Sequence, residues 1–105
     1  MAISKEEIFG PVAAVQTFNS VDEVIGLAND SSFGLAAYFY GQDLKTIFKV
    51  AENLEYGMVG VNTGILSNVT APFGGMKESG FGREGSTHGI DEYLEMKYLC
   101  MGGIS

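Results

Sequence analysis

Residues 35–62, LAAYFYGQDLKTIFKVAENLEYGMVGVN, decide the predicted fold. Leu35–Tyr40 is a continuous apolar run between two glycines, which is typical of an inner strand buried on both faces. Asp43 can cap a following helix, for which Gly57 occupies the expected left-handed stop, and Met58–Asn62 is a further strand. The apolar stripe of this helix is Leu44, Ile47, Phe48, Ala51 and Leu54. The stretch therefore predicts strand, helix and strand.

The residues before this stretch repeat the pattern. Val12–Phe18 is an apolar, β-compatible run that follows the turn-like Gly10-Pro11. Ser20-Val21-Asp22-Glu23 matches a capping box, in which serine and glutamate each satisfy a backbone donor of the other, and it predicts a helix from Val21 to Ala28. Strands joined by connections of a dozen or more residues are typical of parallel strands with right-handed crossovers. The predicted fold class is α/β.

After this stretch the periodicity disappears. Residues 63–86 are predicted to form a long loop rich in Gly and Ser, which indicates a functional or disordered segment. A short helix around Ile90–Leu94 and a final strand over about 96–101 follow. Gly80–Gly85 has the spacing of a dinucleotide fingerprint, but it neither follows a strand nor opens a long helix. We interpret it as a loop that uses the backbone freedom of glycine.

Composition excludes several classes of protein. The 105 residues fit one small domain with a modest core, and exclude a complete two-domain cofactor enzyme. A net charge of −7 with Arg83 as the sole arginine argues against nucleic-acid partners and an anionic membrane surface. Cys100 is the sole cysteine, so no internal disulfide forms and a reducing, cytoplasmic location is expected. No apolar run has the length of a membrane span.

Candidate catalytic and metal-binding residues are weak. A reactive thiolate needs a helix N-terminus or a cationic partner, whereas Cys100 lies in an apolar terminal strand, so it is expected to be a small packing residue rather than a nucleophile. His88 is the only histidine and has no second metal ligand at a standard spacing. The residues therefore predict neither a catalytic group nor a metal site.

Three motifs resemble one known family. They are Glu6-Glu7-Ile8-Phe9-Gly10-Pro11, Ala71-Pro72-Phe73-Gly74-Gly75-Met76-Lys77-Glu78-Ser79-Gly80 and Gly82-Arg83-Glu84-Gly85. Their order and spacing resemble the C-terminal quarter of the aldehyde dehydrogenase superfamily, and the resemblance runs from Lys5 to Gly103. Within it, residues 57–67 and 91–100 are most similar to the succinate-semialdehyde dehydrogenases. A relative that acts on another ω-carboxy semialdehyde is the alternative.

The resemblance implies that residues 1–105 are a single C-terminal segment of the aldehyde dehydrogenase catalytic domain. The implied fold is an α/β fragment with a partial parallel sheet, crossover helices, the long Gly-rich loop and an oligomerisation-type strand at 95–102. The implied activity of the parent is oxidation of succinate semialdehyde to succinate with NAD or NADP, in a homo-oligomer. A free-standing interaction module derived from a truncated dehydrogenase is a second possibility.

The resemblance also implies roles for four residues. Glu7 matches the glutamate that accepts hydrogen bonds from the nicotinamide ribose, and Phe9 matches the phenylalanine beside that ribose. Phe73 matches an aromatic residue of the aldehyde tunnel, and Ser67 matches the serine that binds the distal carboxylate. The family's nucleophilic cysteine, general-base glutamate and cofactor domain have no counterpart in these 105 residues. The isolated chain is therefore predicted to be inactive and to bind cofactor weakly or not at all.

Overall fold

The structure is a computed structural model that describes residues 2–104, so the two terminal residues of the predicted 1–105 segment lie outside the described residues. The helices are α1 (Val21–Asn29) and α2 (Leu44–Asn53). The strands are β1 (Phe33–Gly34), β2 (Ala36–Phe39), β3 (Met58–Val61) and β4 (Met76–Lys77). Two short 3-10 helices cover Ala2–Ser4 and Gly89–Tyr93. The second lies where the sequence predicts a short helix around residues 90–94, and it begins and ends one residue earlier.

The β2-α2-β3 unit confirms the central prediction. β2 and β3 pair in parallel, with Ala36 opposite Met58 and Phe39 opposite Val61. α2 connects them as the crossover, and α1 contacts α2. A second, antiparallel pair joins β1 to β4, so the long loop contains one short strand that the sequence did not indicate.

Both predicted helix caps are present. The Asp43 carboxylate accepts hydrogen bonds from the Thr46 backbone N–H at 2.9 Å and the Thr46 hydroxyl at 2.6 Å, which lower its pKa. The Ser20 hydroxyl accepts from the Glu23 backbone N–H at 3.1 Å. The Glu23 carboxylate accepts from Asn19 N–H at 2.8 Å rather than from Ser20, so the reciprocal bond reaches one residue further than the capping box predicts.

Gly57 has a different role from the predicted left-handed stop. α2 ends at Asn53, its C-cap Leu54 has extended backbone angles, and the positive-φ glycines of the described residues are Gly80, Gly82, Gly85 and Gly103. A Cβ atom on Gly57 would overlap the Gly74 carbonyl oxygen and lie 2.7 Å from Gly75 Cα. Gly57 therefore lets the long loop approach the start of β3.

Two predicted strands do not form within residues 2–104. Val12–Phe18 and residues 94–104 have no strand pairing, and the side chains in both segments are exposed. β2 has β3 as its sole strand partner in the described chain, and Tyr38 is 47% exposed, so the prediction of an inner strand is wrong here. The common reason is that a strand needs a neighbour for its backbone hydrogen bonds.

The chain does not form the compact small domain that its length allows. Its radius of gyration is 19.3 Å, compared with about 13 Å for a compact chain of this size. Its accessible surface is 8672 Å², compared with about 5,700 Å² for a folded monomer of equal mass. Val50 and Met58 alone are buried apolar residues among those described. No helix in residues 2–104 is long and apolar enough to cross a membrane.

Candidate functional site

One concave surface is a cleft of about 820 Å³, here called the aromatic cleft. The long loop and the Gly89–Tyr93 helix form most of its wall, and Leu35 closes it from the side of β2. Phe73, Phe81 and Tyr93 supply its rings. Its wall also includes the charged residues Arg83, Glu84 and Glu92, so the cleft offers aromatic packing beside polar groups to a small organic substrate.

Arg83 braces the wall of the aromatic cleft. Its guanidinium donates from Nη1 to the Gly75 carbonyl at 2.9 Å and to the Gly82 carbonyl at 2.8 Å. Phe73 and Glu84 exchange two backbone hydrogen bonds, at 2.8 and 2.7 Å. The sole arginine therefore uses Nη1 to hold the loop's own backbone.

A second cleft of about 510 Å³ lies against residues 2–7, a segment here called the strap. Glu6 and Glu7 line it together with Phe33. Lys5 ties the strap to the end of α1, because its ammonium lies 2.6 Å from Asp30 Oδ2 and donates to the Asp30 carbonyl at 3.1 Å. Its hydrogen bond to the Asp30 carboxylate, together with the positive charge of Lys5, lowers the pKa of Asp30.

The two clefts share a wall. Leu35 and Ser79 line both, and the Ser79 hydroxyl accepts a hydrogen bond from Gly34 N–H at 2.8 Å. Glu7 and Phe73, for which the family resemblance implies different ligands, therefore lie in neighbouring clefts. One carboxylate cleft beside one aromatic cleft is an arrangement that can hold two ligands side by side.

The other two predicted site residues lie elsewhere. Phe9 is 92% exposed, and neither Phe9 nor Ser67 lines either cleft. Ser67 is exposed in the loop that follows the carboxyl end of β3. Ligands of open α/β sheets commonly bind beyond such strand ends. Asn62 fixes the start of this loop, because its side chain accepts from Gly41 N–H and donates to the Gly41 carbonyl, both at 2.8 Å.

The remaining candidates stay outside any catalytic arrangement. His88 is exposed, with Nδ1 3.9 Å from Asp91 Oδ2, and no group of three metal-ligating side chains occurs within residues 2–104. Cys100 is exposed, so its predicted role as a packing residue is wrong within this chain. Gly80 and Gly82 have φ angles of 108° and 79°, which supports the interpretation of their motif as a loop that needs glycine.

Sequence reasoning missed Lys77. Its ammonium donates to the Asn29 carbonyl at 3.0 Å and the Ser31 carbonyl at 3.1 Å, and lies 2.7 Å from Glu55 Oε2. These partners are distant in sequence, so spacing along the chain offered no signal for the contact. Lys77 joins the long loop to the end of α1.

The chain is similar in sequence to a family of known enzymes. The aldehyde dehydrogenase family model matches residues 1–99. Glutarate-semialdehyde dehydrogenase of Pseudomonas aeruginosa is 63% identical over 97% of this chain and 21% of its own length. Succinate-semialdehyde dehydrogenase [NADP(+)] of Escherichia coli is 61% identical over 95% of the chain and 21% of its own length. The chain thus spans about a fifth of these relatives.

A solved structure shows the same backbone. The crystal structure of succinate-semialdehyde dehydrogenase from Burkholderia pseudomallei matches with a TM-score of 0.91 and 58% identity. The match covers 96% of this chain and 21% of that one. The extended shape and the unpaired segments therefore occur in a chain whose backbone matches part of a much longer solved protein.

Proposed function

The chain belongs to the aldehyde dehydrogenase family, and we propose that it is the C-terminal segment of the catalytic domain of an NAD(P)-dependent succinate-semialdehyde dehydrogenase. The observation that supports this most is the 61% and 63% identity, over nearly the whole chain, to enzymes named for two dicarboxylic semialdehydes. Glutarate semialdehyde is the alternative substrate, since it differs by one methylene. The reaction oxidises the aldehyde group to a carboxylate. The lone cysteine favours a cytoplasmic location for the parent.

The exposed apolar surface supports the assignment to a larger catalytic domain. The accessible surface exceeds that of a compact monomer by about 3,000 Å², several times what one partner buries in a standard interface of about 800 Å². Many large apolar side chains, among them Val15 and Met96, lie in this exposed surface, and such surface needs cover. We propose that the remaining four fifths of the parent supply it. The C-terminal position rests on the order of the Glu6–Pro11 and Ala71–Gly80 motifs.

We propose that Glu7 and Phe9 contact the cofactor. The Glu7 carboxylate is exposed in the strap cleft, and its two oxygens can accept hydrogen bonds from the paired hydroxyls of a ribose. Phe9 offers an exposed ring two residues away. These groups fit the ribose end of a dinucleotide, whereas the neighbouring Lys5 is already paired with Asp30. When bound, the cofactor supplies the hydride acceptor.

We propose that Ser67 and Phe73 contact the aldehyde substrate. The Phe73 ring forms part of the aromatic cleft, where it can pack against the methylene chain. The Ser67 hydroxyl can donate a hydrogen bond to the distal carboxylate. Arg83 lines the aromatic cleft, which Ser67 does not line, so we propose that a cationic partner for the carboxylate at Ser67 comes from the rest of the parent.

The isolated chain is proposed to be inactive. Covalent oxidation of an aldehyde needs an activated thiolate and a general base beside the reacting carbon. Cys100 is exposed in the tail at residues 94–104 and lines neither cleft. We therefore assign no catalytic residue to the described chain. The parent's nucleophile and general base belong to sequence outside these 105 residues.

An assay of two proteins tests this proposal. The complete protein containing the segment is expected to form NAD(P)H from succinate semialdehyde, and the 105-residue chain is expected to give the rate of a buffer blank. Turnover by the isolated chain would overturn the inactivity, and a complete protein that oxidises no semialdehyde would overturn the function. Glutarate semialdehyde, assayed in parallel, identifies the preferred chain length from kcat/KM.

A substitution tests the substrate contact. Ser67→Ala in the complete protein is expected to raise KM about tenfold for succinate semialdehyde and to leave KM for an uncharged aldehyde nearly unchanged. The reason is that one substrate alone loses a hydrogen bond to its carboxylate. Equal changes for both aldehydes would remove Ser67 from this role.

The tail favours a second candidate, an interaction module. Met96 and Tyr98 are 101% and 87% exposed, and residues 94–104 have no strand partner in the described chain. An unpaired apolar segment of this kind can add a strand to the sheet edge of another subunit. Comigration of the 105-residue chain with intact dehydrogenase subunits on a sizing column would support this candidate. It would also support homo-oligomerisation of the parent through residues 95–102.

A further inference from the structure

We propose that the C-terminal end of α1 fixes the position of the two clefts relative to each other. Lys5 and Lys77 make the bonds to this helix end and act as positioning residues of the proposed dehydrogenase site. This inference rests on the proposed function. Lys5 belongs to the strap with Glu7, and Lys77 belongs to the long loop with Phe73. Their ammonium groups bond to three consecutive residues, 29–31.

Lys77 uses all its donors to dock the long loop. Its ammonium has three donors, and it has three oxygen partners within 3.1 Å: Asn29 O, Ser31 O and Glu55 Oε2. Two are backbone carbonyls at or just beyond the end of α1, where the helix dipole favours a cation. The Lys77 side chain is 28% exposed, and its backbone φ of 56° is unusual for a residue with a side chain. The three ammonium contacts therefore occur together with a backbone conformation that a residue with a side chain rarely adopts.

Lys5 docks the strap at the adjacent residue. Its ammonium contacts both the carboxylate and the carbonyl of Asp30. The Lys5 and Glu6 backbone N–H groups both donate to the Ala2 carbonyl at 2.9 Å, so the strap is a closed turn around this lysine. Glu7 follows this turn directly. The position of its carboxylate therefore depends on where Lys5 is held.

The anchor itself is fixed to the β2-α2-β3 unit. The Asn29 side chain donates to the Asn53 carbonyl at 2.8 Å and accepts from Glu55 N–H at 2.8 Å. The Tyr56 hydroxyl donates to the Ala28 carbonyl at 2.7 Å. Lys5 attaches the strap cleft, and Lys77 attaches the aromatic cleft, to the same end of α1, which is itself bonded to the β2-α2-β3 unit.

Kinetics of variants in the complete protein test whether Lys77 positions the substrate cleft and Lys5 positions the cofactor cleft. Lys77→Met is expected to raise KM for succinate semialdehyde about tenfold with KM for the nicotinamide cofactor within about twofold. Lys5→Met is expected to raise KM for the nicotinamide cofactor about tenfold, with KM for succinate semialdehyde within about twofold. Lys77→Arg and Lys5→Arg should recover most of each loss, because the charge and several donors remain. Lys45→Met is the matched control, since Lys45 is exposed on α2 without an ion pair in residues 2–104.

Hydrogen exchange of the same variants separates this inference from the proposed function. Lys77→Met should speed exchange at Glu78 N–H, which donates to the Ser32 carbonyl at 2.9 Å, and leave Glu6 N–H unchanged. Lys5→Met should speed exchange at Glu6 alone. If the complete protein oxidises no aldehyde, the proposed function fails, and this pattern alone decides whether the lysines act separately. Equal exchange or equal kinetic losses in both variants, or none in either, would overturn the inference.

Discussion

Strand β2 and the segment Val12–Phe18 have similar sequences and different structures. Both are apolar and each precedes a capped helix. β2 pairs with β3 over four registered residues, and Leu35 O and Phe39 O extend the pairing by accepting from Met58 and Asn62. Val12–Phe18 has no strand pairing in the described chain, and Val15 is 86% exposed. The difference shows that an apolar run becomes a strand only when the chain also supplies its neighbour.

The tail at residues 94–104 repeats this lesson. Its apolar residues have strand-like composition, yet Met96 and Tyr98 are almost fully exposed. The β2-α2-β3 unit contains both strands of its own ladder, so it is complete within residues 35–62. The two other segments have no strand partner among residues 2–104.

Alanine substitutions at two glycines are expected to give the largest difference in unfolding free energy between these regions. Gly57→Ala places a Cβ against the Gly74 carbonyl and should cost about 3 kcal/mol of unfolding free energy in the complete protein. A Cβ on Gly10, beside Val12–Phe18, would meet no atom within 4 Å, and Gly10→Ala should change stability by less than about 0.5 kcal/mol. Urea unfolding of both variants measures the contrast. A small effect of Gly57→Ala would show that the loop does not pack against β3.

Two valine substitutions test whether Val12–Phe18 differs from the β2-α2-β3 unit only because it lacks a neighbour. Val50→Ala removes a buried side chain and should cost about 2 kcal/mol in any protein that contains the β2-α2-β3 unit. Val15→Ala should cost almost nothing in the 105-residue chain but about 2 kcal/mol in the complete protein, where we expect the segment to be covered. Denaturant unfolding in both contexts checks this. If Val15→Ala is neutral in the complete protein, the segment is not a buried strand there.

A substitution at Gly26 is expected to have a smaller effect on stability, and to raise it instead of lowering it. It lies inside α1, and a Cβ at this position would meet no atom within 4 Å. Gly26→Ala should therefore stabilise the complete protein by about 1 kcal/mol, because alanine loses less backbone entropy in a helix. Destabilisation in thermal unfolding would mean that sequence beyond the described residues packs against this position.

The smallest expected effect concerns pH at the strap. Bonding to Lys5 lowers the pKa of Asp30 below its usual value of 3.8. The contribution of this pair is therefore complete above the usual value and is lost as pH falls through the lowered one. Exchange at Glu6 N–H, normalised to its intrinsic rate, should rise in that acidic range. Asp30→Asn should remove this pH dependence, and an unchanged profile in that variant would contradict the assignment.

Local interactions explain which parts of the fold were predictable. Ser20 and Asp43 cap their helices as expected, because a cap involves residues only three apart. Gly57 was misassigned because its constraint comes from Gly74 and Gly75, which are distant in sequence. The site divides in the same way. Glu7 and Phe73 were indicated by resemblance, but that they lie in neighbouring clefts depends on Leu35 and Ser79.

The two helices, their caps, the β2-α2-β3 order and the family are predictable from the sequence, because each depends on short-range periodicity or on contiguous motifs. Which apolar runs become strands, and how the long loop docks, depends on contacts that form only in the folded chain. Lys77 illustrates the reason, since its oxygen partners at residues 29, 31 and 55 converge only when the end of α1, the α2-β3 connection and the long loop are packed together. Contacts between residues so far apart have no periodic signature in the sequence.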